Sequence, residues 1–219
     1  MPRSTATATR DRMLDAGAVE ILARGYAGAT LSSIAARVGV TKGALTYHFP
    51  SKVDFATAML DHLRKVHADT REAVRAEGLR GLRGQLTLQV RIGIRMTTDL
   101  VFAAAHTLVV TPSTGVTTIP PVLLDMSVAY AAHLQEAIDD GELPATTDAN
   151  AAGEDIVIGQ IGTFVFLSRQ PDRSPQPPYR VTRHLLTALG AREVDRLVDQ
   201  VLAAESAPRG DVRMPRPAP

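Results

Sequence analysis

TLSSIAARVGVTKGALTYHF, residues 30–49, has the apolar spacing of two short helices joined by a glycine turn. Leu31, Ile34, Ala35 and Val38 fall on one helical face, and Val40 and Leu45 continue beyond the turn, which is the spacing two crossed helices need to share one small core. Gly39 offers the left-handed residue that ends the first helix without steric penalty, and Thr41 is placed to cap the second by accepting a backbone N–H. The stretch therefore reads as a helix-turn-helix. The outward positions of its second helix, Thr41, Lys42, Gly43, Thr46, Tyr47 and His48, carry small, cationic or hydrogen-bonding groups, which suits a helix that enters a DNA major groove.

On the N-terminal side a helix is expected over residues 7–24, with Leu14, Ala18, Ile21 and Leu22 as its apolar stripe, Gly25 as its stop and Thr30 capping the next helix. On the C-terminal side Ser51-Lys52-Val53-Asp54 has the form of a capping box and opens a long helix in which Phe55, Met59, Leu63 and Val66 keep helical spacing toward Glu77. Gly78, Gly81 and Gly84 then read as punctuation before a second, larger part. That part is expected to be helical near residues 82–98, 100–110, 121–140, 148–169, 179–189 and 191–205, with no convincing strand. Residues 111–120 and the four-proline stretch 170–178 read as loops, and 206–219, rich in Pro, Arg and Gly, as a disordered tail. The fold class expected is all-α: an N-terminal three-helix helix-turn-helix domain, residues 7–67, joined by a long helix to an all-helical domain, residues 78–205.

Composition narrows the chemistry. The 219 residues carry a net charge of +1, 45% apolar side chains, 4% aromatics and no tryptophan, so the core must be built from Ala, Leu, Val and Ile. There is no cysteine, which excludes disulfides, thiolate metal sites and thiol nucleophiles. Met1 to Arg10 is polar and without an apolar segment, and the most continuous apolar run, 156–167, falls short of the roughly 20 residues of a membrane span, so a cytoplasmic protein with no membrane partner is expected. Residues 1–77 hold 11 Lys+Arg against 8 Asp+Glu, and the remainder 13 against 15, a mild positive bias toward the helix-turn-helix end. No serine elbow, phosphate-cradling glycine loop, H-E-x-x-H or metal-ligand cluster is present, so neither an enzyme nor a cofactor is expected.

Residues 148–169 place Ile156, Val157, Ile158, Ile161, Phe164, Val165, Phe166 and Leu167 all round a helix, which requires burial on every side. An economical arrangement has one face lining an internal pocket and the other packing on a twin subunit, giving a homodimer whose recognition helices meet successive major grooves of a pseudo-palindrome about 34 Å apart. The pocket residues named on this reading are Phe102, His106, Met126, Tyr130, Thr163 and Phe166, an apolar set with a few hydrogen-bonding groups that suits a small amphipathic ligand.

The arrangement of a helix, then T-L-S-x-I-A-x-x-V-G-V-T-K-G-A-L-x-Y-H-F-x-S-K, then a long helix and an all-helical remainder resembles the TetR family of transcriptional regulators, most closely over residues 9–63. The resemblance implies a dimeric repressor, released from a double-stranded DNA operator by a small-molecule effector. It implies base contacts from Lys42, close backbone approach at Gly43 and Ala44, a thymine-methyl or phosphate contact from Thr46, phosphate contacts from Tyr47 and His48, hydroxyl donors at Ser32, Ser33 and Thr41, and a positive charge at Lys52. Residues 134–143 followed by 158–165 are similar to the γ-butyrolactone receptor branch, whose V-G-T pocket segment matches Ile161-Gly162-Thr163. The tryptophan of that branch falls at about Met126 here, a departure that a pseudo-receptor with another effector would share. A DNA-binding regulator without a small-molecule ligand, or an activator, remains the alternative.

Overall fold

The computed structural model describes residues 5–110, 121–168 and 179–206. The loops expected at 111–120 and 170–178 and the tail beyond residue 206 lie outside the described residues. Among the described residues the chain is all helix: α1 Thr5–Gly28, α2 Leu31–Val38, α3 Lys42–His48, α4 Lys52–Ala76, α5 Gly81–Thr98, α6 Leu100–Val109, α7 Pro121–Asp139, α8 Ala149–Ser168, α9 Tyr179–Ala188 and α10 Val194–Ser206. The all-α class is as expected. The last helix begins three residues later than the periodicity suggests because Glu193 is held at φ 52°, which cannot belong to a right-handed helix.

Two compact units emerge: residues 1–66 with 99–120, and residues 67–98 with 121–219. In the first, α1 packs on α2 and on α6, and α2 packs on α3. Met13, Leu14, Ala18 and Ile21 form the buried line of α1, whereas Leu22, expected in that stripe, is 44% exposed, one position too far round the helix. The Phe55 ring of α4 occupies the space where a side chain at Gly17 would project. Asp99 caps α6 by accepting from the Phe102 N–H at 2.9 Å, and its other oxygen meets His62 Nε2 of α4 at 2.8 Å. These contacts place α6 with the first unit, although the expected domain range 78–205 contained it.

In the second unit α5 is the central element, with α7, α9 and α10 packed on it and α8 packed on α7 and α9. Ten of its residues between Gly81 and Ile92 are buried. Its N-terminal amides, which lack intrahelical acceptors, donate to carboxylates from elsewhere: Gly81 N to Glu136 at 3.2 Å and Leu82 N to Glu142 at 2.8 Å. Gly81 opens α5 with a left-handed backbone at φ 54°, and Gly84 lies inside the helix; side chains at these sites would strike Glu142 and the His133 ring. The helices α7 and α8 approach closely because Gly153 has no side chain; a Cβ there would stand 2.7 Å from the Ser127 carbonyl oxygen. Arg91 is clasped between Glu77, at 2.7 Å, and Glu205, at 2.8 Å, joining the end of α4 to α10. Both carboxylates raise the arginine's already high proton affinity.

Candidate functional site

The helix-turn-helix is held by short-range bonds that its sequence dictates. Thr30 Oγ1 accepts from Ser33 N at 3.0 Å while Ser33 Oγ accepts from Thr30 N at 3.1 Å, a reciprocal box that satisfies two otherwise unpaired donors. Gly39 sits at φ 78°, and its N–H donates to the Ala35 and Ala36 carbonyls, ending α2 in a left-handed turn. Thr41 Oγ1 then accepts from Ala44 N at 3.1 Å and starts α3. Ile34, Leu45 and Phe49 are almost wholly buried, each contributing about 1.5–3 kcal/mol by removal from water. Phe49 meets Phe55 edge to face at 4.7 Å and carries the Arg10 guanidinium 5.0 Å from its ring.

A second brace crosses from α1 to α2. Glu20, buried, accepts from Arg37 Nε at 2.8 Å and lies 3.6 Å from Arg24. Arg37 holds the Glu20 carboxyl below its ordinary range, outweighing the opposing effect of burial. No carboxylate occurs in the sequence between Glu20 and Asp54, so α2, α3 and their turn present only neutral or cationic side chains.

On α3 the exposed side chains are Lys42, Ala44 and Tyr47, with Gly43 exposed beside them. Tyr47 is 85% exposed and packs edge-on against His48, with ring centroids 5.4 Å apart. A Cβ built at Gly43 would meet only Thr41 Oγ1, at 3.9 Å, so nothing within the chain requires glycine there. Thr41 and Ser32 are exposed at the starts of α3 and α2.

Three of the expected DNA-binding groups carry other duties. The Ser33 hydroxyl donates to the Thr30 carbonyl at 2.9 Å, and Thr46 Oγ1 donates to the Gly43 carbonyl at 3.1 Å; in each case the hydroxyl hydrogen expected for a phosphate is already committed, leaving Thr46 its methyl. Lys52 Nζ donates to the Ala27 carbonyl at 3.2 Å and lies 4.3 Å from the Tyr26 ring centroid, while Tyr26 Oη donates to the Lys52 carbonyl at 3.3 Å. Burial pushes this lysine below its ordinary pKa. Lys52 is thus a brace between the end of α1 and the start of α4, where Ser51 and Asp54 form the expected capping box.

The residues expected to line a ligand pocket are distributed over both units. Phe102 and His106 are on α6 in the first; Met126 and Tyr130 on α7 and Thr163 and Phe166 on α8 are in the second. Phe102 is fully buried, with its ring 4.5 Å from that of His106, whose Nδ1 donates to the Phe102 carbonyl at 3.0 Å. Burial pushes the His106 imidazole down to about 4, so it is neutral near pH 7. Tyr130 is buried and donates to Gln160 Oε1 at 3.3 Å, with burial raising its phenol above the usual range. Phe166 is not an interior residue. It is 54% exposed and follows Ile158, 65% exposed, and the exposed Gly162 in an i, i+4, i+8 row along α8. Among the described residues one side of α8 is thus exposed within a single chain. A cleft of about 520 Å³ in the second unit, lined by Leu82, Glu142, Arg192, Arg196 and Gln200, contains none of the expected pocket residues. Among the described residues no cluster of His, Asp and Glu could hold a metal, and no helix is long and apolar enough to cross a membrane.

Residues 13–59, which hold the cap, turn and braces just described, match the model for bacterial regulatory proteins of the tetR family. The HTH-type transcriptional regulator TtgR of Pseudomonas putida is 35% identical over 75 residues, which is 34% of this chain and 36% of that protein. The match thus spans about a third of the length of that curated relative. Over most of the chain the fold resembles a solved γ-butyrolactone receptor described as ArpA-like, with a TM-score of 0.74, 24% identity, and coverage of 91% of this chain and 98% of the other. It likewise resembles the TetR family protein CprB of Streptomyces coelicolor, solved with its operator sequence, with a TM-score of 0.74, 24% identity, and coverage of 91% and 96%. Residues 13–59 thus carry the segment typical of bacterial regulatory proteins of the tetR family, and the chain as a whole shares the all-helical fold of these solved structures.

Proposed function

We propose that the protein is a homodimeric transcriptional repressor that binds a pseudo-palindromic operator through α3 and releases it when a small amphipathic effector binds. The observation that carries the reading is the outer face of α3: Lys42 and Tyr47 project into solvent on either side of Gly43 and Ala44, on a surface without carboxylates. Lysine can donate to guanine O6 and N7, a phenol to a phosphate, and a helix with no side chain at one position can bring its backbone against the duplex. The DNA-bound CprB structure supports this use of the fold.

The exposed row Ile158, Gly162 and Phe166 on α8 supports dimerisation. An apolar row that stands exposed among the described residues is stabilised by pairing with the same row on a second copy. The effector class follows the ArpA-like receptor, whose ligand is a γ-butyrolactone by its description, and Thr163 is half-buried on α8 as a pocket hydroxyl would be.

The test is fluorescence anisotropy at fixed salt against the DNA flanking the protein's own coding region, repeated with lactones and furans. Lys42→Ala should weaken binding and relax base preference, whereas Tyr47→Phe should weaken binding to all sequences alike. Full affinity and unchanged preference in Lys42→Ala would refute the groove assignment, and a strictly monomeric protein that ignores duplex at low salt would refute the whole reading.

A further inference from the structure

The helix α5 carries two buried glutamines one turn apart, Gln85 and Gln89, which lie on the same side of the helix. Thr182, fully buried, is on α9, which packs against α5. The nitrogen and oxygen of both amides and the threonine hydroxyl make no hydrogen bond to any protein group among the described residues. Burying polar atoms without partners is costly, and leucine or methionine would fill the same positions of an aliphatic core without that cost. The buried residues contributed by α5, α8, α9 and α10 carry no charge, Leu86, Leu186 and Val198 among them, and α7, also packed on α5, adds the buried His133, whose imidazole is held below its ordinary pKa by burial.

We propose that Gln85, Gln89 and Thr182 form the polar end of an internal binding site in the second unit, and that the site takes an uncharged small molecule bearing both a hydrogen-bond acceptor and a donor on an apolar body. Each amide offers an N–H to a carbonyl and an oxygen to a hydroxyl or N–H, so a molecule with both groups satisfies it in full. A carboxylate or ammonium would be taken from water with no fixed countercharge among the buried residues of these helices, since burial favours the neutral form of His133. This inference deepens the effector reading above and rests on it. It places polar recognition on α5 and α9, away from Tyr130, whose hydroxyl is already engaged by Gln160.

The experiment uses the full chain and three probes: octanamide, an α-hydroxyalkyl γ-butyrolactone, and octanoate as the charged isostere of the first. Affinities are read by calorimetry and thermal shift for the parent, Gln85→Met, Gln89→Met, the double variant and Thr182→Val. The neutral probes should bind the parent, octanoate should bind at least about 10-fold more weakly, and each Gln→Met change should cost roughly 3- to 10-fold in affinity for a neutral probe. Probe-free, the double variant should melt at or above the parent temperature, because its unpaired amides are gone. Unaltered affinity in every variant, equal binding of octanoate and octanamide, or binding of no neutral probe overturns the proposal. So does a probe-free double variant that melts well below the parent, which would mean that the amides hold structural water; if that variant fails to fold, Thr182→Val alone decides. Operator binding is measured on the same preparations without probe, so loss of the DNA-binding reading is seen separately from loss of this one.

Discussion

Gly43 is the second residue of α3, exposed, with no left-handed backbone and nothing from its own chain nearer than 3.9 Å to a would-be Cβ. Folding alone therefore favours replacing it. Alanine restricts the unfolded chain and is the better helix former, so Gly43→Ala should stabilise the protein by up to about 0.5–1 kcal/mol. For a chain of this size that is a rise of roughly 1–4 °C in melting temperature. If the glycine is there to let the helix backbone touch DNA, added volume should act in the opposite direction on binding. Gly43→Ala should then lose a few-fold in operator affinity, and Gly43→Leu, which holds the helix off the groove floor, about 10-fold or more, or about 1.4 kcal/mol. Differential scanning calorimetry and anisotropy on the same two variants read both effects. A Gly43→Leu protein that melts normally and binds operator as tightly as the parent would refute the close-approach argument, whatever else α3 does.

Arg37→Ala should destabilise the first unit by about 2–3 kcal/mol in urea unfolding, since it leaves the buried Glu20 carboxylate short of its main partner. Because the folded state lowers the pKa of Glu20, that stabilisation is present above the ordinary value of about 4.5 and is lost as the pH falls through the lower folded value; the variant's pH profile should be flatter there. The His106 imidazole moves the other way in charge: folding lowers its pKa from 6.5 to about 4, so full stability holds above pH 6.5 and drains away as the pH drops toward 4. A His106→Gln variant should lose that part of the acid sensitivity, read from unfolding midpoints at pH 7.5 and 5. Gly153→Val should cost about 1–3 kcal/mol or more, because its side chain meets the backbone of Ser127 and Ala131 and must push α7 and α8 apart; thermal melting checks it.

The helix-turn-helix was legible because its instructions are local. Thr30, Gly39 and Thr41 act within four residues of themselves, and the structure places each cap and turn where those side chains require it. What needed long-range information was less legible. Glu20 and Arg37 are 17 positions apart, and nothing in either neighbourhood announces that they pair. Lys52 looked like a surface cation, and only the fold brings it to Tyr26 and the Ala27 carbonyl. The row of Ile158, Gly162 and Phe166 shows a limit of periodicity: an apolar helix surface has the same pattern whether its own chain covers it or leaves it exposed. A glycine misled for a related reason. Gly84 resembles boundary punctuation in sequence, yet it serves close packing inside α5, whereas Gly81 does open that helix with a left-handed backbone. Gln85 and Gln89 gave no signal at all, since buried and solvated glutamines are written with the same letter.

The clasp on Arg91 sets an order of events during synthesis. Its partner Glu77 precedes it by 14 residues, whereas Glu205 follows it by 114. As the chain leaves the ribosome, α5 emerges with one carboxylate already at hand and waits for the second until 114 further residues have been made. The helix at the centre of the second unit is thus among the first of that unit to be translated and the last to be fully enclosed, and a nascent chain stalled before α10 carries its core helix bare on one side.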